Sequence, residues 1–347
     1  MNPPTIDLTR LKSLIAELAP AFGPSGEEGP IRELIAARVR PLVDEVRTDA
    51  LGNLIAVKRG GASGARRVMV SAHMDEIGVI VTHIDDDGFL RFAPVGAMRA
   101  PVLLGQRVMF DDGTVGTVGS EKLDDPKDLK LDRLFIDIGA ASRKEAAERV
   151  RIGSMAVYAQ DVRAAGRCLT GKALDDRSGC AALIEVMHQL QAEPSPHDVY
   201  FVFSVQEEVG LRGARTAAYA IEPDVAFAVD VTATGDIPKG ERLAVKVGGG
   251  AAIKIKDRSL ITHPRLRRLL IDTAEACGIP YQLEVLPYGG TDAGAVHLTR
   301  AGVPSGVISI PTRYLHTPGE MLDPHDVAAA AALLAEALRN PLAVGPD

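Results

Sequence analysis

Four largely apolar runs in this chain each give way to a residue that can bind a metal ion. Val68 to Ala72 lead into His73-Met74-Asp75, Val199 to Gln206 into Glu207-Glu208, Val225 to Val229 into Asp230, and Val307 to Ile310 towards His316. Imidazole mixed with carboxylate suits Zn²⁺, Co²⁺ or Mn²⁺ better than Ca²⁺ or Mg²⁺. Asp175-Asp176 adds two adjacent carboxylates in a loop, which repel unless a cation or solvent compensates them.

Each piece has a bland reading. His73 could be a strand-end histidine followed by a capping aspartate, and Asp175-Asp176 and Asp230 could cap a helix or a turn. The functional reading gives His73 to a metal, with Asp75 holding its far ring nitrogen and so fixing the tautomer. An acidic pair closing a buried strand is costly unless it is used, and extended backbone would send Glu207 and Glu208 in opposite directions. One can then ligate while the other handles water. Taken together, His73, Asp175, Glu208, Asp230 and His316 make five ligands, enough for two ions sharing a bridging carboxylate, with Asp176 and Arg177 steadying the bridge and Glu207 left free. Two ions about 3.5–4 Å apart activate a shared water and polarise a carbonyl, and Glu207 as general base would move the proton to a leaving amine. The reaction class is hydrolysis of an amide or peptide bond.

Apolar runs without alternation predict parallel strands buried on both faces, whose carboxyl ends carry ligands in open α/β sheets. Helices are expected from Ser25-Gly26-Glu27-Glu28, which has capping-box spacing, to about Arg40, and over Cys180–Gln191, Arg265–Cys277 and Pro324–Arg339. The fold class is therefore α/β, a mixed sheet with helices on both faces. Between Ile77 and Ala165 the texture changes to short β-like runs joined by Asp86-Asp87-Gly88 and Asp111-Asp112-Gly113. This predicts a small all-β barrel (77–165) inserted into a catalytic domain made of 1–76 and 166–347. A net charge of -7 excludes the basic footprint of a nucleic-acid binder, and no apolar stretch is long enough to span a membrane. Three widely spaced cysteines argue against disulfides or a thiolate zinc site, and a cytoplasmic protein is expected.

The residues resemble those of the M42 metallo-aminopeptidases, the glutamyl and deblocking aminopeptidases of the tetrahedral type. The resemblance spans nearly the whole chain. It rests on Gly23-Pro24-Ser25-Gly26, Ser71 to Gly78, Ala173 to Arg177, Gln206 to Gly210, Asp230-Val231-Thr232 and Arg313 to Pro318. It implies that His73 and Asp230 hold one ion, Glu208 and His316 the other, that Asp175 rather than Asp176 bridges them, and that Glu207 is the base. It further implies a non-proline cis peptide after Asp175, zinc or cobalt as metals, peptides as substrates, and dimers formed through the β insertion that build a dodecamer.

Three rivals carry different expectations. Gly166 to Lys172 fits the first seven places of a phosphate-binding loop, but Ala173 stands where a magnesium-binding hydroxyl is needed. Glycoside hydrolysis of the endoglucanase kind needs two carboxylates about 5–9.5 Å apart and leaves both histidines idle; the chain also has no Trp for sugar stacking. A metal-bound scaffold would have no use for a free Glu207.

Overall fold

The computed structural model describes residues 6–342. Its larger part is an 11-stranded sheet. Asp198–Ser204, Arg67–His73, Val225–Thr232 and Ser305–Arg313 run parallel at its centre. Antiparallel strands flank them: Glu45–Thr48 and Leu54–Lys58 on one side, Glu320–Leu322, Cys168–Gly171 and Arg163–Ala165 on the other. Ala251–Lys256 also pairs antiparallel with Ser305–Arg313, and Tyr281–Val285 runs parallel beside it. Burial on both faces explains the uninterrupted apolar runs. Val68, Val70 and Ala72 join Phe201, Phe203, Phe227 and Val229 under the helices Leu8–Leu18, Leu174–Ala192 and Pro324–Arg339. Met69, Val202 and Ala226 face the other way, onto Ala214, Ala217 and Ile221 of the helix Arg212–Ile221. Each such Leu, Val or Phe contributes roughly 1.5–3 kcal/mol when fully buried.

Register sets the height of the chemistry. His73 pairs with Ser204, and Ala228 with Ser71, so Asp230 stands level with His73 at the carboxyl edge of neighbouring strands. Six antiparallel strands, Gly78–Ile84, Leu90–Val95, Leu134–Asp137, Val115–Ser120, Arg107–Phe110 and Met155–Tyr158, close in that order into a barrel with a core of its own. Gly88 and Gly113 take φ of +88° and +85° at two of its turns, conformations that the Asp-Gly pairs foreshadow.

Four local expectations need correction. The strand Arg163–Ala165, grouped with the β insertion on sequence texture, pairs with Cys168–Gly171 in the large sheet. Strand 198–204 ends before Gln206, which has φ of +55°. The helix read from Cys180 is continuous back to Leu174, apart from non-helical Asp175 and Asp176. The capping box does not form, because Ser25 Oγ donates to Asp75 while Glu28 accepts from the amides of Gly26 and Gln206; the helix starts only at Gly29 and ends at Val39. Among the described residues no helix is long and apolar enough to cross a membrane, and Cys168, Cys180 and Cys277 are buried free thiols.

Asn53 ties the end of strand 198–204 to the helix behind it. Its Oδ1 accepts from the Val205 amide, and its Nδ2 donates to the Gly213 carbonyl and to Asp49. A Cβ at position 213 would lie 2.2 Å from Asn53 Oδ1, so glycine is required for the approach. Asn53→Ala strands the buried Val205 amide, at a cost of about 1–3 kcal/mol, while the Gly213 carbonyl keeps the Thr216 hydroxyl. Urea unfolding should show a loss of at least about 1 kcal/mol; an unchanged midpoint would refute the tie.

Candidate metal centre

His73 ends its strand almost fully buried. Its Nδ1 donates to the main-chain carbonyl of Asp75 at 3.0 Å, which in the neutral ring leaves the Nε2 lone pair aimed into the site. The Asp75 carboxylate was expected to make that contact, but its Oδ1 stands 3.5 Å from Nδ1. It is committed elsewhere, accepting from Ser25 Oγ at 2.6 Å and from the amides of Glu207 and Glu208 at 3.0 and 3.2 Å. Asp75 therefore anchors the acidic pair as well as neighbouring His73. Burial raises its carboxyl, but contacts with His73, Ser25 and Glu207 outweigh that and hold it below the usual range.

Glu207 and Glu208 stand in the turn after the strand, not in extended backbone. Three side chains hold that turn by its amides: Asn53 at Val205, Glu28 at Gln206 and Asp75 at both glutamates. Asn53 and Glu28 went unnoticed in these roles because side chains that bind main-chain amides leave no spacing signature.

Asp175 lies between the two histidines. Its Oδ1 is 2.9 Å from His73 Nε2 and its Oδ2 is 3.3 Å from His316 Nε2. Asp230 Oδ1 is 3.8 Å from His73 Nε2, and Glu208 Oε1 is 3.3 Å from His316 Nε2. All five expected ligands thus converge, with two of the other four at each end of the Asp175 carboxylate. The Asp175-Asp176 peptide is cis. Asp176 caps the helix through the Gly179 amide, yet its other oxygen is buried without a partner and it shares a possible cation site with His73 and Asp230. Arg177 does not steady the bridge as the sequence suggests. It donates to the carbonyls of Leu18, Ala21 and Gly23 and lies 3.5 Å from Glu76.

The charges are out of balance. Burial pushes the carboxyls of Asp230, Glu207 and Glu208 up, His73 or His316 opposes it, and neighbouring carboxylates add to it. Burial also works against a charged His316, but Glu208 and Asp175 outweigh it and push the imidazole up to about 12. Asp175 is held low against its burial by His316 and His73. A buried set of imidazole and carboxylate donors short of positive charge is what divalent cations relieve, so these residues fit metal ions. Among the described residues no partner satisfies the Glu207 carboxylate.

The site opens on a cavity of about 980 Å³. Its walls include Ala97, Met98 and Arg99 from the barrel and Thr232, Lys254, Tyr288 and Gly289 from the sheet side. The phosphate-loop rival fails here: Gly166 to Lys172 forms a hairpin with Arg163–Ala165, and Lys172 is buried with its Nζ 2.7 Å from Glu76. The six remaining histidines stand outside the ligand set. His83 and His325 are exposed beside Asp85 and Asp323, while His197 and His297 contact main-chain carbonyls.

Comparison with known proteins accounts for this arrangement. Residues 52–333 match the family model for the M42 glutamyl aminopeptidases. A provisionally named aminopeptidase of Acetivibrio thermocellus is 51% identical over 94% of this chain and 97% of its own. An aminopeptidase structure from the archaeon Desulfurococcus kamchatkensis superposes with a TM-score of 0.92, at 39% identity and 96% coverage of both chains. The Pyrococcus horikoshii TET1 peptidase, which can assemble into a tetrahedron or a large octahedral shell, gives 0.86 at 35% identity, covering 96% of this chain and 100% of that one. The resemblance carried by the short motifs extends over the barrel as well as the sheet, and this chain is a peptidase of the M42 glutamyl aminopeptidase family.

Proposed function

We propose that the chain removes N-terminal residues from peptides with two divalent ions per subunit, zinc or cobalt, and with Glu207 as general base. The observation that carries this reading is Asp175, whose two carboxylate oxygens face different imidazoles. His73, Asp230 and Asp175 Oδ1 would hold one ion; His316, Glu208 and Asp175 Oδ2 would hold the other. Bound there, the ions would supply Lewis-acid polarisation of the scissile carbonyl and a water of lowered pKa. Glu207 is free to accept the attacking water's proton and deliver it to the leaving nitrogen. Asp75 orients both partners, through the His73–Asp75 main-chain contact and through the amides of the acidic turn.

Glycoside hydrolysis is the weaker reading. It gives no task to His73 and His316, which here face the carboxylates that would have to act on the sugar. We also propose self-association, with the barrel as the contact within dimers that build a dodecamer; the assembly of the Pyrococcus horikoshii TET1 peptidase into tetrahedral or octahedral shells supports it. A cytoplasmic location agrees with three buried thiols that form no disulfide.

Glu207→Gln should retain its metal while kcat on aminoacyl-nitroanilides falls by about 10²–10⁴-fold; turnover near wild type would end the base assignment. Asp175→Ala should lose both ions by elemental analysis, whereas Asp176→Ala should keep them and lower stability through its lost helix cap, by about 0.5–2 kcal/mol. The reverse pattern would transfer the bridge to Asp176. Exhaustive dialysis against EDTA should abolish hydrolysis, and reloading with Zn²⁺ or Co²⁺ should restore it. An enzyme still active without metal would overturn the proposal.

A further inference from the structure

Glu320 touches neither the cavity nor any ligand side chain, yet it joins two ligand-bearing segments. It opens the short strand Glu320–Leu322 and is almost fully buried. Its Oε2 accepts from the Asp175 amide at 3.0 Å and its Oε1 from the His316 amide at 2.9 Å. Both residues have irregular backbones that no helix or strand ladder fixes. Asp175 has φ −78° and ψ 106° inside an otherwise helical run, and His316 has φ of +59°. Their side chains meet across the site at 3.3 Å, so the separation of their main chains sets the opening between the bridging carboxylate and the second imidazole.

From this geometry we infer that Glu320 is a positioning residue for the cation site formed by His316, Glu208 and Asp175 Oδ2. The inference rests on the dinuclear reading above. A carboxyl group is suited to the role because each of its two oxygens takes one amide. Glutamine has the same shape but only one oxygen, and its NH₂ would confront the second main-chain N–H. The barrel adjoins this point: Tyr158, the last residue of strand 155–158, has a buried hydroxyl without a partner, and burial together with the nearby Glu320 charge pushes its phenol up. Of the first site's ligands only Asp175 is held by Glu320, while His73 and Asp230 receive nothing from it, so the first site should be weakened less.

The test is zinc binding to wild-type protein and to Glu320→Gln, followed by isothermal titration and by metal content per subunit after dialysis. Residues that orient ligands typically change metal affinity by about 10–100-fold. Glu320→Gln should therefore keep one tight ion and bind the second at least about 10-fold more weakly. The unfolding temperature of the metal-free variant separates this role from a general loss of structure, which would weaken both sites together. Should Glu320→Gln fail to fold, Glu320→Asp, which keeps the charge but shortens the reach, is expected to show the same selective loss. Two ions bound at wild-type affinity in the variant, or equal weakening of both, would overturn the role of Glu320 alone. Fewer than two ions on the wild-type protein would overturn the dinuclear reading and this role with it.

Discussion

Buried like charge is the constraint around which this molecule is organised. Asp175, Glu207, Glu208 and Asp230 crowd one edge of the sheet, and neighbouring carboxylates raise the cost of ionising Glu207, Glu208 and Asp230. Two imidazoles are the only cationic groups among the ligands, and protonating them would remove the lone pairs that make them donors. A site that resolves this conflict must take in positive charge from outside the chain. Divalent ions would do so while leaving both rings neutral, and His73 is arranged for it, with Nδ1 on a main-chain carbonyl and Nε2 turned inward.

The rest of the fold holds those charges together against their repulsion. Parallel strands in matched register bring His73 and Asp230 to the same height without relying on loops. The other ligands ride on irregular backbone, where no ladder fixes position, and there a second layer of carboxylates and one amide takes over. Asn53, Glu28 and Asp75 hold the acidic turn, and Glu320 spans Asp175 and His316. Negative groups thus support negative groups, and they can because they grip main-chain N–H dipoles.

What the sequence disclosed follows the same division. His73, Asp230 and the acidic pair could be found because a buried strand advertises itself by unbroken apolarity, so the polar residue that ends it stands out. His316 was reachable only as the nearest histidine after such a strand, since its left-handed backbone has no signature in the residues around it. Glu207 and Glu208 do not lie in the extended backbone that the sequence predicts; they occupy a turn held in part by Asn53, far earlier in the chain. Ser25 and Glu28 misled in the opposite direction: their spacing matches a local cap, but distant partners claim both side chains. Glu320 was invisible because its partners are main-chain amides, which every residue but proline carries.

Ala97, Met98 and Arg99 reach from the barrel into a chamber whose candidate ligands all come from outside the barrel. Part of the chamber's wall and its candidate ligands are thereby encoded in separate stretches of the gene. Substitutions at the tip formed by these three side chains can remodel which substrates fit without disturbing a donor atom.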